Sequence, residues 1–475
     1  MIVEPRILIV GAGPTGVSAA WRLTEHGHGN WRLIEASSSP GGLASSVVDE
    51  AGFTWDLGGH VLFSHWRYFD RLMQEALGTA WVEHEREAWV WMRERWIPYP
   101  LQNNIWRLPP NELYACLEGL VELKKNGASA PRPALPAPRS FADWLMHAFG
   151  RGLCDVFMYP YNMKVWAYPP ERLGTGWMGE RVATVDLARV LRNLVYQRDD
   201  VSWGPNATFR FPLHGGTGAI WRALAARLPN DRLTFDTRVV AVDSAAKRVH
   251  LSDGTTDTYD YLISSMPLDQ LLCTLTDAAD LAALSERFVY SASHIVGVGF
   301  DGQVPSDLRT KCWMYFPEPD VPFYRATVFS NYSPNNVARP GEQWSLMAEV
   351  SESPMKPVDA ERVIEDVIDG FKRTGFIDAA TPIATRWHRR LARGYPTPWL
   401  ERDEVLAAVL PGLEKRSILS RGRFGAWRYE VSNQDHSSLQ GVEAVDRILM
   451  GTPETTVTGR MDVEPPELSA IRTER

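Results

Sequence analysis

The pattern of apolar and polar positions changes period several times along the chain, and each change marks an element. Arg6–Val10 is a short β-branched run with no polar break on its apolar side, as in a strand covered on both faces. The turn Gly11–Gly16 (GAGPTG) follows at once. A helical stretch over Val17–Leu23 comes next, then a second apolar run over Trp31–Ile34 that ends at Glu35. This order predicts one βαβ unit. Tyr68–Leu77 predicts a helix, Trp89–Trp96 a strand and Ile97–Asn104 a proline-broken loop. Ala128–Arg139 is rich in Pro and Ala and predicts an exposed connector. Ser140 with Asp143 has the spacing of a capping box, so a helix is expected to start near Phe141. Helical spacing continues with breaks to about Tyr196, which makes residues 105–200 mostly helical.

The second half alternates differently. Leu233–Asp243 and Arg248–Leu251 are strand-like, and the turn Ser252-Asp253-Gly254 follows the second. Tyr261–Ser265 is a further strand. Ile295–Phe300, Cys312–Phe316, Tyr324–Phe329 and Trp344–Val350 predict a sheet over about 290–350. Pro357–Thr374 is amphipathic and predicts a helix stopped by Gly375. The polar residues 462–475 are expected to fray.

Composition narrows the class. A chain of 475 residues exceeds what one hydrophobic core usually holds, so more than one domain is expected. A formal net charge of -8 argues against a nucleic-acid protein. The four cysteines lie far apart with no C-x-x-C pair, so no metal site is expected and a reducing cytoplasm is. The opening MIVEPRILIVGAG runs straight into a strand, which leaves no room for a leader, and no apolar run is long enough for a membrane helix.

The glycine turn carries the first chemistry. Gly11, Gly13 and Gly16 fit G-x-G-x-x-G, with Pro14 and Thr15 inside it. The first glycine makes the tight turn, the second admits a pyrophosphate to the backbone, and the third lets helix and strand pack closely. The helix N-terminus offers amide donors to the phosphates. Glu35, at the end of the next strand, is placed to accept from ribose hydroxyls. Two further glycine approaches, Pro40-Gly41-Gly42-Leu43 and Asp56-Leu57-Gly58-Gly59-His60, suit a cofactor longer than NAD. Together these motifs resemble the FAD domain shared by amine oxidases, protoporphyrinogen oxidases and nucleotide-sugar mutases.

Longer motifs are more specific. GFTWDLGGHVLFSH, WIPYPLQNNI, FMYPYNMKVWAYP, GERVAT, WGPNATFRFPLHGGTG, WMYFPEPDVPFYRATVFSNYSP, RGYPTPWLERD and SRGRFGAWRYEVSNQDHSSLQGVEAVD occur in this order. In order and spacing they resemble the eukaryotic (fungal)-type UDP-galactopyranose mutases, over residues of about 5 to 450. The resemblance implies an α/β fold: a discontinuous Rossmann-like FAD-binding domain (1–90, 204–275 and 406–460), a helical insertion domain (91–203) and an antiparallel β-sheet domain (276–405).

The resemblance also implies an isomerase and its site. Arg181 and Arg325 would hold the substrate diphosphate, helped by Tyr395 and Tyr429. Arginine forks suit phosphate oxygens, and both arginines sit among aromatic, low-charge neighbours. The nucleotide base would lie near Tyr99, Gln102, Met158, Asn162 and Trp166. The sugar would lie near His60, Asn206, Trp313, Tyr315 and Asn433. Arg423 and Gln434 would close the FAD site together with Gly59 and His60. The implied reaction interconverts UDP-galactopyranose and UDP-galactofuranose, with N5 of reduced flavin attacking the anomeric carbon and NADPH as reductant. Leu101 stands where the family often has an aromatic residue and Tyr159 where a basic one is expected, which leaves other nucleotide sugars (GDP- or TDP-linked) open. A non-catalytic protein that merely retains FAD and an amine-oxidase-like oxidoreductase are the remaining alternatives. Such an enzyme needs an apolar or aromatic-caged pocket, in which two arginines would be a burden. A nucleotide-sugar substrate, no nucleic acid, no membrane and a possible oligomer complete the expectations.

Overall fold

The first strand, Ile7–Val10, is buried at every residue because it lies in the middle of a sheet covered on both faces. The computed structural model describes residues 4–128, 138–178, 182–201, 208–460 and 463–466, with backbone alone for 126–128. The central sheet has five strands, in the order Ile418–Ser420, Tyr261–Ser264, Ile7–Val10, Trp31–Ile34 and Leu233–Thr234. All its pairs are parallel, so strands distant in sequence complete one Rossmann-like unit. One face is covered by the helices Pro14–Glu25, Gly218–Ala225 and Gln434–Met450. The other face packs on Leu268–Thr274, Arg402–Glu414 and the small sheet that starts at Val239–Asp243.

The second layer is a seven-stranded sheet built on Tyr290–Asp301, which pairs antiparallel with both Gln343–Glu352 and Ile383–Pro396. It continues through Arg325–Val328, Trp313–Tyr315, Ala88–Met92 and Arg95–Pro98. Within 276–405 every strand pair is antiparallel, as expected, and the one parallel pair joins Trp313–Tyr315 to Ala88–Met92 from outside that stretch. Even-numbered residues such as Val296, Val298 and Phe300 pack against the helix Val363–Arg373. Odd-numbered Gly297 and Gly299 face the hairpin Ser46–Val48/Thr54–Asp56. There a Cβ on Gly297 would stand 2.6 Å from the Trp55 ring. These two glycines let the sheet lie directly on the hairpin that leads into His60.

A helical region covers one end of the cleft. Ser140 accepts from the Asp143 amide, and the Asp143 carboxylate accepts from the Ser140 amide, so the expected capping box starts Phe141–Leu153. That helix runs through a wider π turn, Cys154–Met158, into Tyr159–Trp166. Pro110–Ala128 packs beside it, and Leu187–Tyr196 follows. Most of the expected connector, residues 129–137, lies outside the described residues. No helix among the described residues is long and apolar enough to cross a membrane.

Four local expectations are corrected. Trp89–Trp96 is a hairpin rather than one strand. Arg93 and Glu94 both take positive φ (54° and 56°), the twist a two-residue hairpin turn needs, and the strand Arg95–Pro98 takes in Ile97 and Pro98, the start of the expected loop. Leu233–Asp243 divides between two sheets at Asp236, whose φ of 54° breaks the strand. The helix expected from Pro357 begins at Val363, because Asp359 first turns the chain by accepting from the Glu361 amide. The fourteen-residue strand Ile383–Pro396 was not anticipated. It is an edge strand with exposed Arg386 and Arg390 on one face and exposed Arg389 on the other, and charges on both faces hide alternation while they guard the edge.

The helix Gln434–Met450 is tied down at its start by a buried carboxylate. Asp435 accepts from His65 Nδ1 at 2.7 Å and lies 3.0 Å from His436 Nδ1. Burial opposes its ionisation, but His436 and His65 hold its carboxyl well below the ordinary range. A depressed carboxyl pKa contributes stability that is fully present above the unfolded value and is lost as pH falls through the folded one. Asp435→Asn is therefore expected to be less stable than wild type at neutral pH, and urea midpoints of the two proteins should converge as pH drops below about 4. For the hairpin contact, Gly297→Ala is expected to lose about 1–3 kcal/mol by overpacking on Trp55, read by urea denaturation, with the fold retained.

Candidate active site

The glycine turn forms a cradle at the end of the central sheet. Gly11 takes φ 97°, and a Cβ on Gly16 would stand 1.8 Å from the Gly11 carbonyl oxygen, so neither position admits a side chain. Gly13 caps the helix that Pro14 begins, and Thr15 is buried against Gly422 and Gly441. Gly41 and Gly42 fold over the turn: the Gly41 amide donates to the Ala12 carbonyl, and a Cβ on Gly42 would lie 3.3 Å from the Gly13 Cα. Leu43 is partly buried beside them. Glu35 accepts from the Ala12 amide at 2.6 Å and from the Ser37 amide at 2.8 Å. The backbone thus approaches a ligand closely on both sides, with a carboxylate at the strand end, and this fits a flavin dinucleotide.

The cradle opens into a cleft between the seven-stranded sheet and the helical region. His60 follows the hairpin strand Thr54–Asp56, and its Nδ1 lies 3.7 Å from Asp56. His60 Nδ1 and Trp313 Nε1 are both buried with no hydrogen-bond partner among the described residues. Arg325 lies 4.8 Å above the Trp313 ring. A Cβ on Gly59 would meet Glu349, Trp313 and Arg325 within 3.3 Å, so only glycine fits between them.

Arg325 corrects one expectation: its surroundings are not low in charge. Its Nε and Nη2 donate to Glu349 Oε1 and Oε2 at 2.7 and 2.8 Å. Burial works against both charges, yet each partner holds the other ionised, with Arg325 raised and Glu349 lowered. The Tyr324 hydroxyl donates to Glu349 at 2.7 Å and lies 3.3 Å from the Tyr395 hydroxyl. Neither Glu349 nor Tyr324 was singled out from sequence. The available signal was a lone carboxylate inside the apolar run WSLMAEV.

Aromatic rings wall the cleft. Trp166 meets Trp177, Tyr429 and Tyr395 at 4.9, 4.8 and 5.8 Å between ring centres. Tyr315 meets Tyr99 at 4.9 Å and Tyr161 at 5.6 Å. Burial pushes the phenols of Tyr99, Tyr161, Tyr315, Tyr324 and Tyr395 upward, so all are protonated at neutral pH. Arg423 lies over the Tyr395 ring and donates to the Ser432 hydroxyl and the Gly394 carbonyl.

The remaining candidates divide. Gln102 donates to the Ala183 carbonyl at 2.7 Å, and its Oε1 has no partner among the described residues. Met158 is buried in the π turn, and its carbonyl accepts the Asn162 side chain. Asn433 caps the helix Gln434–Met450 without a side-chain bond to it, while the Gln434 side-chain oxygen accepts from Trp221. Arg181 and Asn206 lie outside the described residues. Leu101 is a core residue, and Tyr159 donates to the Ala142 carbonyl, so both departures from the family pattern serve packing of the helical region.

Comparison with known proteins accords with this geometry. The family model for flavin containing amine oxidoreductases matches residues 14–412. A crystal structure of reduced UDP-galactopyranose mutase is 49% identical, covers 97% of this chain and 99% of its own, and superposes with a TM-score of 0.92. A putative protoporphyrinogen oxidase from Exiguobacterium sp. 255-15 shares the fold at 16% identity, covering 95% of this chain and 100% of its own, with a TM-score of 0.71. Cyclohexylamine oxidase from Brevibacterium oxydans IH-35A does so at 15%, with 94% and 99% covered and a TM-score of 0.66. The glycine cradle, the arginine-centred aromatic cleft and the full-length similarity lead to one assignment: the chain belongs to the flavin-containing amine oxidoreductase family and, within it, to the UDP-galactopyranose mutases.

Proposed function

We propose that this protein is a FAD-dependent isomerase that interconverts UDP-galactopyranose and UDP-galactofuranose. The observation that carries the reading is the buried cleft around Arg325, walled by protonated tyrosines and set beside a dinucleotide cradle. A sugar nucleotide brings two phosphate charges into such a cleft, and buried cationic and phenolic donors suit them.

In this reading Arg181 and Arg325 hold the diphosphate, with Tyr395 and Tyr429 as further donors. The rings of Tyr99 and Trp166 and the amides of Gln102 and Asn162 frame the base beside Met158. Trp313, Tyr315, Asn206, Asn433 and His60 surround the sugar. Bound and reduced, the flavin supplies the nucleophile, its N5, for the anomeric carbon. The protein keeps the departed nucleoside diphosphate within reach, so its return is effectively intramolecular. The aromatic wall keeps water from the reacting carbon. The sequence carries one glycine fingerprint, so NADPH, the proposed reductant, would enter by the substrate cleft. A cytoplasmic location goes with that reductant.

The test is turnover of UDP-galactofuranose by dithionite-reduced and by oxidised protein, followed by chromatography of the nucleotide sugars. Conversion by the reduced form alone is expected; a flavin-loaded, reducible protein that converts neither isomer would refute the reading. Arg325→Lys keeps a charge but loses the fork, and is expected to lower kcat/KM roughly 10²-fold with flavin content unchanged. Gly16→Val is expected to purify without flavin, read from visible absorbance, because its side chain would occupy the Gly11 carbonyl.

A further inference from the structure

Glu349 is a carboxylate where a carboxylate is costly. It stands on the strand Gln343–Glu352 between Ala348 and Val350, and only 3% of its surface is exposed. Its oxygens receive four donors. Oε1 takes Arg325 Nε at 2.7 Å and the Gly59 amide at 3.0 Å; Oε2 takes Arg325 Nη2 at 2.8 Å and the Tyr324 hydroxyl at 2.7 Å. That set fills the roughly four acceptor sites a carboxylate has.

The fork leaves Arg325 in a defined state. A guanidinium has about five N–H donors, and among the described residues two are used on Glu349, which leaves three, both of the Nη1 protons among them. Turning the group would break the fork and lift it off Trp313. The carboxylate also offsets the arginine's charge. What Arg325 then offers a ligand is direction more than net attraction.

We propose that Glu349 is a positioning residue that sets the orientation in which Arg325 meets a nucleoside diphosphate, and that its bond to Gly59 keeps the turn leading to His60 in register with that arginine. The inference rests on the reading of Arg325 as a diphosphate ligand. Glu349 itself touches no substrate. It acts through the guanidinium, and Tyr324 acts through Glu349.

The experiment is a double-mutant cycle on the flavin-loaded protein, with UDP and UMP as probes in calorimetry. Wild type is expected to favour UDP over UMP, because the second phosphate meets the guanidinium donors that the fork to Glu349 holds in place. Glu349→Gln is expected to lower that preference about 10-fold, and to change it less than 2-fold when Arg325→Lys is already present. A purely structural role would instead weaken both nucleotides alike, in parallel with thermal stability and regardless of residue 325; that result, or an unchanged preference, overturns the proposal. Tyr324→Phe removes one donor without changing charge, and is expected to lower the preference about 3-fold in wild type but not in the Arg325→Lys background. It decides the matter if Glu349→Gln does not fold. Absence of turnover with nucleotide discrimination intact would sink the mutase reading alone. Wild type that binds no UDP would overturn both.

Discussion

The cleft is organised around the cost of burying the Glu349 carboxylate. In an interior without water to solvate it, such a charge persists only with a paired cation and bonds to its remaining lone pairs. Arg325, Tyr324 and the Gly59 amide supply these from two other stretches of chain. The seven-stranded sheet and the turn that ends in His60 are thereby joined at one point. Gly59 has no side chain because the pair occupies that space, and Trp313 lies flat beneath it because a guanidinium sits well on an aromatic face.

The seven-stranded sheet meets the hairpin Ser46–Val48/Thr54–Asp56 through small residues. Gly297 and Gly299 bring the long strand Tyr290–Asp301 onto Trp55 and Phe53. Asp56 then turns the chain by accepting from Ser46 and Thr217. On the far side, Asp435 binds His65 and fixes the start of the helix that presents Asn433 and Gln434. The His60 segment is thus held at both ends by buried carboxylates, which suits a stretch that lies between a cofactor cradle and a substrate cleft.

An amine oxidoreductase fold serves many chemistries because its cradle and its cleft are separate constructions. The cradle is backbone: glycine turns and a helix N-terminus. The cleft is side chains, and here they are an arginine-carboxylate pair and a ring of tyrosines whose burial keeps them protonated donors. The fold itself is shared with proteins at 15–16% identity.

The cradle was legible in the sequence because it depends on local constraints. Gly11 acts through its positive φ and Gly16 through close approach, and Glu35 through its place one strand later, so spacing alone carries the signal. The Ser140–Asp143 cap is local for the same reason. The cleft was legible only as a set of motifs, without the contacts among them. Nothing in FYRAT or WSLMAEV says that Arg325 and Glu349 face each other; that follows from antiparallel register between two strands, in which the residues are paired. The edge strand Ile383–Pro396 escaped notice because its charges answer to solvent on one side and to partners distant in sequence on the other. The sequence by itself determined what the backbone must do to admit a dinucleotide. Which buried charges meet, and hence what the cleft can hold, was decided by the tertiary structure, because pairing energy depends on distances between segments that the chain order does not specify.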